Sequence, residues 1–163
     1  MPRIPLVERA YFERFVQIGR ELLRLHVNYE DQKPYKVKEV LSKHHPEEIS
    51  EKRPGRVTKL FWAKKRDEQG KSVPDYTRLI YNEYLTLEGL PEEAQRYTIN
   101  GRSAIDWLID QYRVKVDDDT EIRKDPNEFA PDKPRYILDL IEKVLTVAVK
   151  SLELIDELKQ LPI

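Results

Sequence analysis

The chain contains no cysteine. That absence excludes disulfides, thiolate nucleophiles and every zinc or iron–sulfur site built on sulfur. It also fits an intracellular setting. Methionine occurs once, and glycine only five times in 163 residues. No apolar run approaches the ~20 residues that cross a bilayer, and no apolar N-terminal segment of a secretion signal is present. The expectation is a cytoplasmic protein with no membrane partner. What the chain has in quantity is charge, at 36% of residues against 39% hydrophobic.

A net charge of −1 conceals a segregation. Residues 1–81 carry an excess of +6 and residues 82–163 a balance of −7. Most of the positive excess falls in residues 33–66, with 11 basic and 4 acidic side chains. A basic block inside a near-neutral chain is what a local phosphate-binding surface leaves in a sequence. A solvated lysine-rich face would leave the same excess.

Periodicity divides the chain into a helical start, a mixed middle and a helical end. Phe12, Phe15, Val16, Gly19, Leu22, Leu23 and His26 share one stripe and predict a helix over residues 8–28. Gly19 within the stripe would let another backbone approach closely. Pro34, Pro46, Pro54 and Gly55 make long regular structure unlikely over 30–55, where VKEVLS reads as a short strand or a helical turn. RVTKLFWAKK is rich in β-branched and aromatic residues and reads as a strand, with DEQGKS as the turn after it. YTRLIYNEYLTLEGL continues as one or two strands, with a bulge expected near Asn82. Asn100-Gly101 is a turn dipeptide, and Ser103 with Asp106 resembles a capping box opening a short helix.

From Pro134 onward Ile137, Ile141, Val144, Ala148, Ser151, Ile155 and Leu158 recur in steps of four and three, a heptad-like seam that needs a partner. The first helix is the natural candidate, with Phe15, Leu22 and Leu23 set against Val144, Ala148 and Ile155. The expected fold class is α+β. A small, mostly antiparallel sheet region over 55–116, with its short helix, is bracketed by long terminal helices over 8–28 and 134–161, in one domain spanning 1–163.

Motifs for catalysis are incomplete. Gly70-Lys71-Ser72 resembles the end of a phosphate loop, but the motif's first glycine would fall at position 65, which is lysine. His44-His45 with Glu47 and Glu48 offers ligand atoms, yet adjacent histidines splay apart and no third nitrogen ligand is suitably spaced. Pro131-Asp132 and Glu157 with Lys159 satisfy the letters of a metal-dependent nuclease, but the latter pair lies on the polar face of a helix. Asp117, Asp118, Asp119 and Glu121 lack the spacing of a calcium loop. The expectation is a chain with no catalytic residues, no metal and no cofactor.

LFWAKKR carries the more informative chemistry. Phe61 and Trp62 point to opposite faces of a strand, and Lys64, Lys65 and Arg66 close it as a loop rim able to reach phosphates. A core tryptophan beneath a lysine-protected hairpin is the competing account.

PRIPL, GRELLRLHVNYE, YNEYLTLEGLPEEAQRYTINGRSAIDWLIDQYRVKVD, DPNEF and PRYILDLIEKVLTVAVKSLELI occur here in order. Together they resemble the C-terminal region of Type ISP restriction–modification enzymes and related predicted bacterial helicases. The resemblance runs from about residue 2 to 158 and is weakest over 31–75. In that family a nuclease, a helicase-like motor and an adenine methyltransferase precede a target-recognition domain, to which this chain corresponds. The phosphate loop is missing, and Asp125-Pro126-Asn127 is not the methyltransferase motif. The resemblance therefore implies double-stranded DNA recognition without catalysis, beside the neighbouring methyltransferase and helicase domains of a parent polypeptide. The residues expected at DNA are Arg53, Arg56, Lys59, Lys64, Lys65, Arg66, Asn100 and Arg102. In this reading Trp107 and Tyr112 help to fill the core. The alternative is a protein-interaction module that docks on the motor or the methyltransferase.

Overall fold

The computed structural model describes residues 7–42, 55–117 and 119–162. Helix α1 (Arg9–Val27) leads through a 3-10 turn (Tyr29–Asp31) into strand β1 (Lys38–Leu41). Strands β2 (Phe61–Arg66), β3 (Ser72–Ile80) and β4 (Leu85–Glu88) follow. After a 3-10 turn (Glu92–Arg96), the minimal hairpin β5 (Thr98–Ile99) and β6 (Arg102–Ser103) opens helix α2 (Ala104–Tyr112). A second minimal hairpin, β7 (Lys115–Val116) and β8 (Arg123–Lys124), precedes helix α3 (Tyr136–Gln160).

The four longer strands form one antiparallel sheet in the order β1-β4-β3-β2. Leu79, Leu85 and Leu87 face inward and share one core with Tyr81, with Ile105 of α2 and with Ile137, Leu138, Ile141, Leu145 and Ala148 of α3. Helix α3 is buried on far more of its surface than a two-helix seam requires, because Leu138, Leu145 and Leu152 add a second row. It packs against α1, α2 and the two 3-10 turns at Tyr29–Asp31 and Glu92–Arg96, and shares its core with the sheet. Each such side chain contributes about 1.5–3 kcal/mol of transfer free energy before entropy is counted.

The bulge lies elsewhere than at Asn82. Register slips where Trp62 opposes Leu79 and Ala63 opposes Asp75, so Tyr76, Thr77 and Arg78 bulge away from β2 while Arg78 still pairs with Glu88 of β4. The Asp75 carboxylate holds that bulge, accepting from the Thr77 amide at 3.2 Å and hydroxyl at 2.7 Å. Asn82 instead makes the β3–β4 turn: its side-chain oxygen accepts from the Tyr84 and Leu85 amides at 2.9 and 2.7 Å.

Gly55 is needed by packing. A Cβ there would lie 2.4 Å from the Pro134 carbonyl oxygen and 2.8 Å from Arg135 Cα. The Tyr81 hydroxyl donates to the Gly55 carbonyl at 2.6 Å, fixing the approach to β2 against the start of α3.

Helices α1 and α3 run antiparallel. Arg14 grips Glu157 through two bonds of 2.6 Å, and further along the Tyr35 amide donates to the Glu142 carbonyl at 3.0 Å. The face that docks differs from the expected stripe. Ile18 is fully buried and Leu25 nearly so, whereas Phe12, Phe15 and Leu23 remain 56%, 47% and 64% exposed. Apolar residues cover more than half of this helix's circumference, so periodicity alone does not choose between its two apolar arcs. The arc of Ile18 and Leu25 is the one that docks, and it carries Arg14 to Glu157.

Candidate nucleic-acid interface

The β2–β3 hairpin turns on Asp67, whose carboxylate accepts from the Gln69 and Lys71 amides at 3.0 and 2.8 Å. Gly70 completes it at φ 77°, a left-handed conformation that suits glycine. Pro74 sits in β3 opposite Lys64, beyond the reach of β4, so its missing N–H breaks no ladder bond on that side.

The cations along this hairpin divide sharply. Lys64 and Lys71 are exposed and have no ion-pair partner among the described residues. Arg66 donates once, to the Gly70 carbonyl at 3.1 Å, and keeps the rest of its guanidinium in solvent. Lys65 is engaged: its ammonium lies 3.1 Å from Glu92 and 3.9 Å from Asp75. The Glu92 hydrogen bond raises the Lys65 pKa above the ordinary lysine value. Asp75 is held below the usual carboxylate range, first by the Thr77 hydroxyl and more weakly by Lys65.

The other basic positions are placed as follows. Arg56 donates to the buried Asp125 at 2.9 Å and lines up the segment that Asn127 ties to Val57 through bonds of 2.9 and 2.8 Å. Burial pushes the Asp125 carboxyl up, but hydrogen bonds from the Asn127 side chain and amide, then from Arg56, outweigh it and hold the group low. Lys59 lies 3.8 Å from Glu83, whose carboxylate the Thr58 hydroxyl also binds. Arg53 lies outside the described residues, as do His44, His45, Glu47 and Glu48.

The basic block of residues 33–66 is not one patch. Lys33, Lys36 and Lys38 lie on or just before β1, and Lys59 to Arg66 lie on or before β2. These are the opposite edges of the sheet, three strand spacings or about 14 Å apart.

A second loop hangs from the same support. Trp62, half-buried in β2, packs edge-on against Tyr76 at 5.3 Å and donates its indole N–H to Asp106 of α2 at 2.7 Å. Ser103 caps α2, accepting from the Asp106 amide at 3.1 Å and donating to its carboxylate at 2.8 Å. Just ahead, Asn100 at φ 52° and Gly101 at φ 78° make the two-residue turn of β5–β6. Both positions need positive φ, which is why an Asn-Gly pair stands there. The Asn100 side chain is exposed and has no hydrogen-bond partner among the described residues. Arg102 lies 4.7 Å over the Trp107 ring and donates to the Asp106 carbonyl at 3.2 Å. Trp107 is therefore not a core residue: it is 40% exposed, with its N–H on the Ile99 carbonyl at 2.9 Å. Tyr112 does pack against the core.

Among the described residues no group of three or more His, Asp or Glu side chains is placed to hold a metal ion. Glu157 and Lys159 serve Arg14 and Asp156 respectively. Lys71 is a further exposed cation of this hairpin, in the Gly70–Ser72 segment that resembles an incomplete phosphate loop.

The family model of the Type ISP C-terminal specificity domain matches residues 1–140. The chain belongs to that family. Solved structures resemble the specificity domain over its whole length. The ATP-dependent Type ISP restriction–modification enzyme LlaBIII bound to DNA is 40% identical, with TM-score 0.72, covering 100% of this chain and 10% of that one. A nuclease-deletion mutant of the Type ISP enzyme LlaGI in complex with a DNA substrate mimic is 39% identical, with TM-score 0.70, covering 100% and 14%. The DrdV–DNA complex is 25% identical, with TM-score 0.68, covering 99% and 15%. The specificity domain thus spans only about a tenth to a seventh of these relatives' length. No curated protein sequence matches it. No helix among the described residues is long and apolar enough to cross a membrane.

Proposed function

We propose that this specificity domain recognises double-stranded DNA as the target-reading part of a restriction–modification polypeptide, in the cytoplasm and without catalysis of its own. The observation that carries this reading is its likeness, over the full chain, to enzymes solved with DNA.

The chemistry divides between two loops. Lys64, Arg66 and Lys71 on the β2–β3 hairpin are solvated cations suited to phosphates, which position a protein on the duplex. Asn100 presents a free amide at the tip of the β5–β6 turn, the group that bonds adenine edges in the major groove. Arg102 stands beside it over the Trp107 ring, 3.7 Å from Asp110, and its part is to orient the turn more than to supply free charge. Arg56, Lys59 and Lys65 are already matched to Asp125, Glu83 and Glu92, so their part in DNA contact is secondary.

The deciding experiment is a salt-dependent titration of the chain with specific and scrambled duplexes. Affinity that falls steeply with salt and differs between duplexes is expected. Binding that is absent at low salt would refute the reading.

A further inference from the structure

We propose that the outward face of α1 is where this domain docks on the preceding part of a Type ISP polypeptide, through an apolar helix of that partner flanked by acidic side chains. Phe12, Phe15, Leu23 and Val27 are 56%, 47%, 64% and 68% exposed and lie along one side of the helix, at spacings of three, eight and four residues with Gly19 midway in the longest gap. Contiguous exposed apolar surface of this kind marks an interaction site.

Gly19 stands between Phe15 and Leu23 on that side, and a Cβ there would meet nothing within 4 Å. Glycine inside a helix is unfavourable relative to alanine, and no contact among the described residues compensates. A partner backbone crossing closely at Gly19 would.

The direction of the partner follows from the family. The family is a C-terminal domain, so the great remainder of a relative's length precedes α1, the first helix, in sequence. Arg20 borders the stripe, exposed and without a carboxylate partner among the described residues. In a two-fold pairing of this chain across Gly19, Arg20 would meet its own copy, whereas an acidic flank neutralises it. The proposal rests on Type ISP membership and is independent of the DNA-contact residues.

The test titrates this chain by calorimetry against LlaBIII truncated before its matching C-terminal segment, after both partners are shown to melt cooperatively. Equimolar docking is expected, weakened at least about tenfold by Phe15→Ser with Leu23→Ser and by Gly19→Leu. Gly19→Leu raises helix propensity at an open position, so it keeps the fold. The triple variant Lys64→Ala, Arg66→Ala, Lys71→Ala should dock normally, and the α1 variants should keep the wild-type salt dependence on DNA. No docking by the wild-type chain, or undiminished docking by Gly19→Leu, overturns the proposal. So does a dimer of the isolated chain, seen by light scattering, that Gly19→Leu abolishes.

Discussion

Replacing Lys64, Arg66 and Lys71 with alanine removes the three hairpin cations whose charge is not already matched within the domain. Each phosphate they neutralise releases condensed counterions, so log affinity falls by about 0.9 per contact for each unit of log salt. Three contacts make a slope of about 2.7, and over a fourfold rise in salt that term alone changes affinity about 40-fold. The variant should therefore bind weakly at low salt and lose much less on going to high salt. Specific and scrambled duplexes should be affected alike, because phosphate contacts carry no sequence information. The fold should survive, since none of the three side chains fills the core; a matching thermal melt verifies this. Lys65→Ala is the internal control: Glu92 and Asp75 already balance its charge, so the slope should change by less than one contact's worth. An unchanged slope in the folded triple variant would remove the hairpin from the DNA interface.

Asn100→Gly keeps the positive φ of the turn and deletes the amide. Discrimination between specific and scrambled duplexes should fall by about 1–3 kcal/mol with the salt slope intact, and equal discrimination in wild type and variant would show that Asn100 reads nothing. Gly55→Ala drives a Cβ into the Pro134 carbonyl and should cost about 1–3 kcal/mol in a urea melt. Asp125 is held below its unfolded value of about 3.9, so its contribution is complete above that pH and disappears as pH falls through the lower folded pKa. Asp125→Asn should be less stable at neutral pH and show a flatter stability profile below about pH 4; parallel profiles would contradict this.

The local chemistry of the sequence was legible wherever one residue type had one conformational use. Asn100-Gly101 had to be a positive-φ turn, and Ser103 with Asp106 had to cap a helix. Helix α3 declared itself by its repeat. Orientation was not legible: Phe12, Phe15 and Leu23 of the stripe on α1 turned outward, because a broad apolar arc on one helix does not say which part of it will dock. Charge clustering misled for a related reason. A basic run that is contiguous in sequence is divided between the two edges of a sheet once β3 and β4 enter between them. Trp107 looked like core because of its size, but its ring supports Arg102.

The family model stops at residue 140, yet Ile141, Leu145, Ala148 and Leu152 beyond it are buried. The pillar of the domain is thus made after nearly everything that leans on it. As the chain leaves the ribosome, the sheet lacks the larger part of its cover until the segment around residues 136–152 emerges. Arg14 waits for Glu157, 143 residues later. Shortening α3 from its C-terminal end should therefore act in two steps: loss of Glu157 frees Arg14 and loosens α1, and loss of Leu152 and Ala148 then opens the inward faces of Leu79 and Leu87 to water.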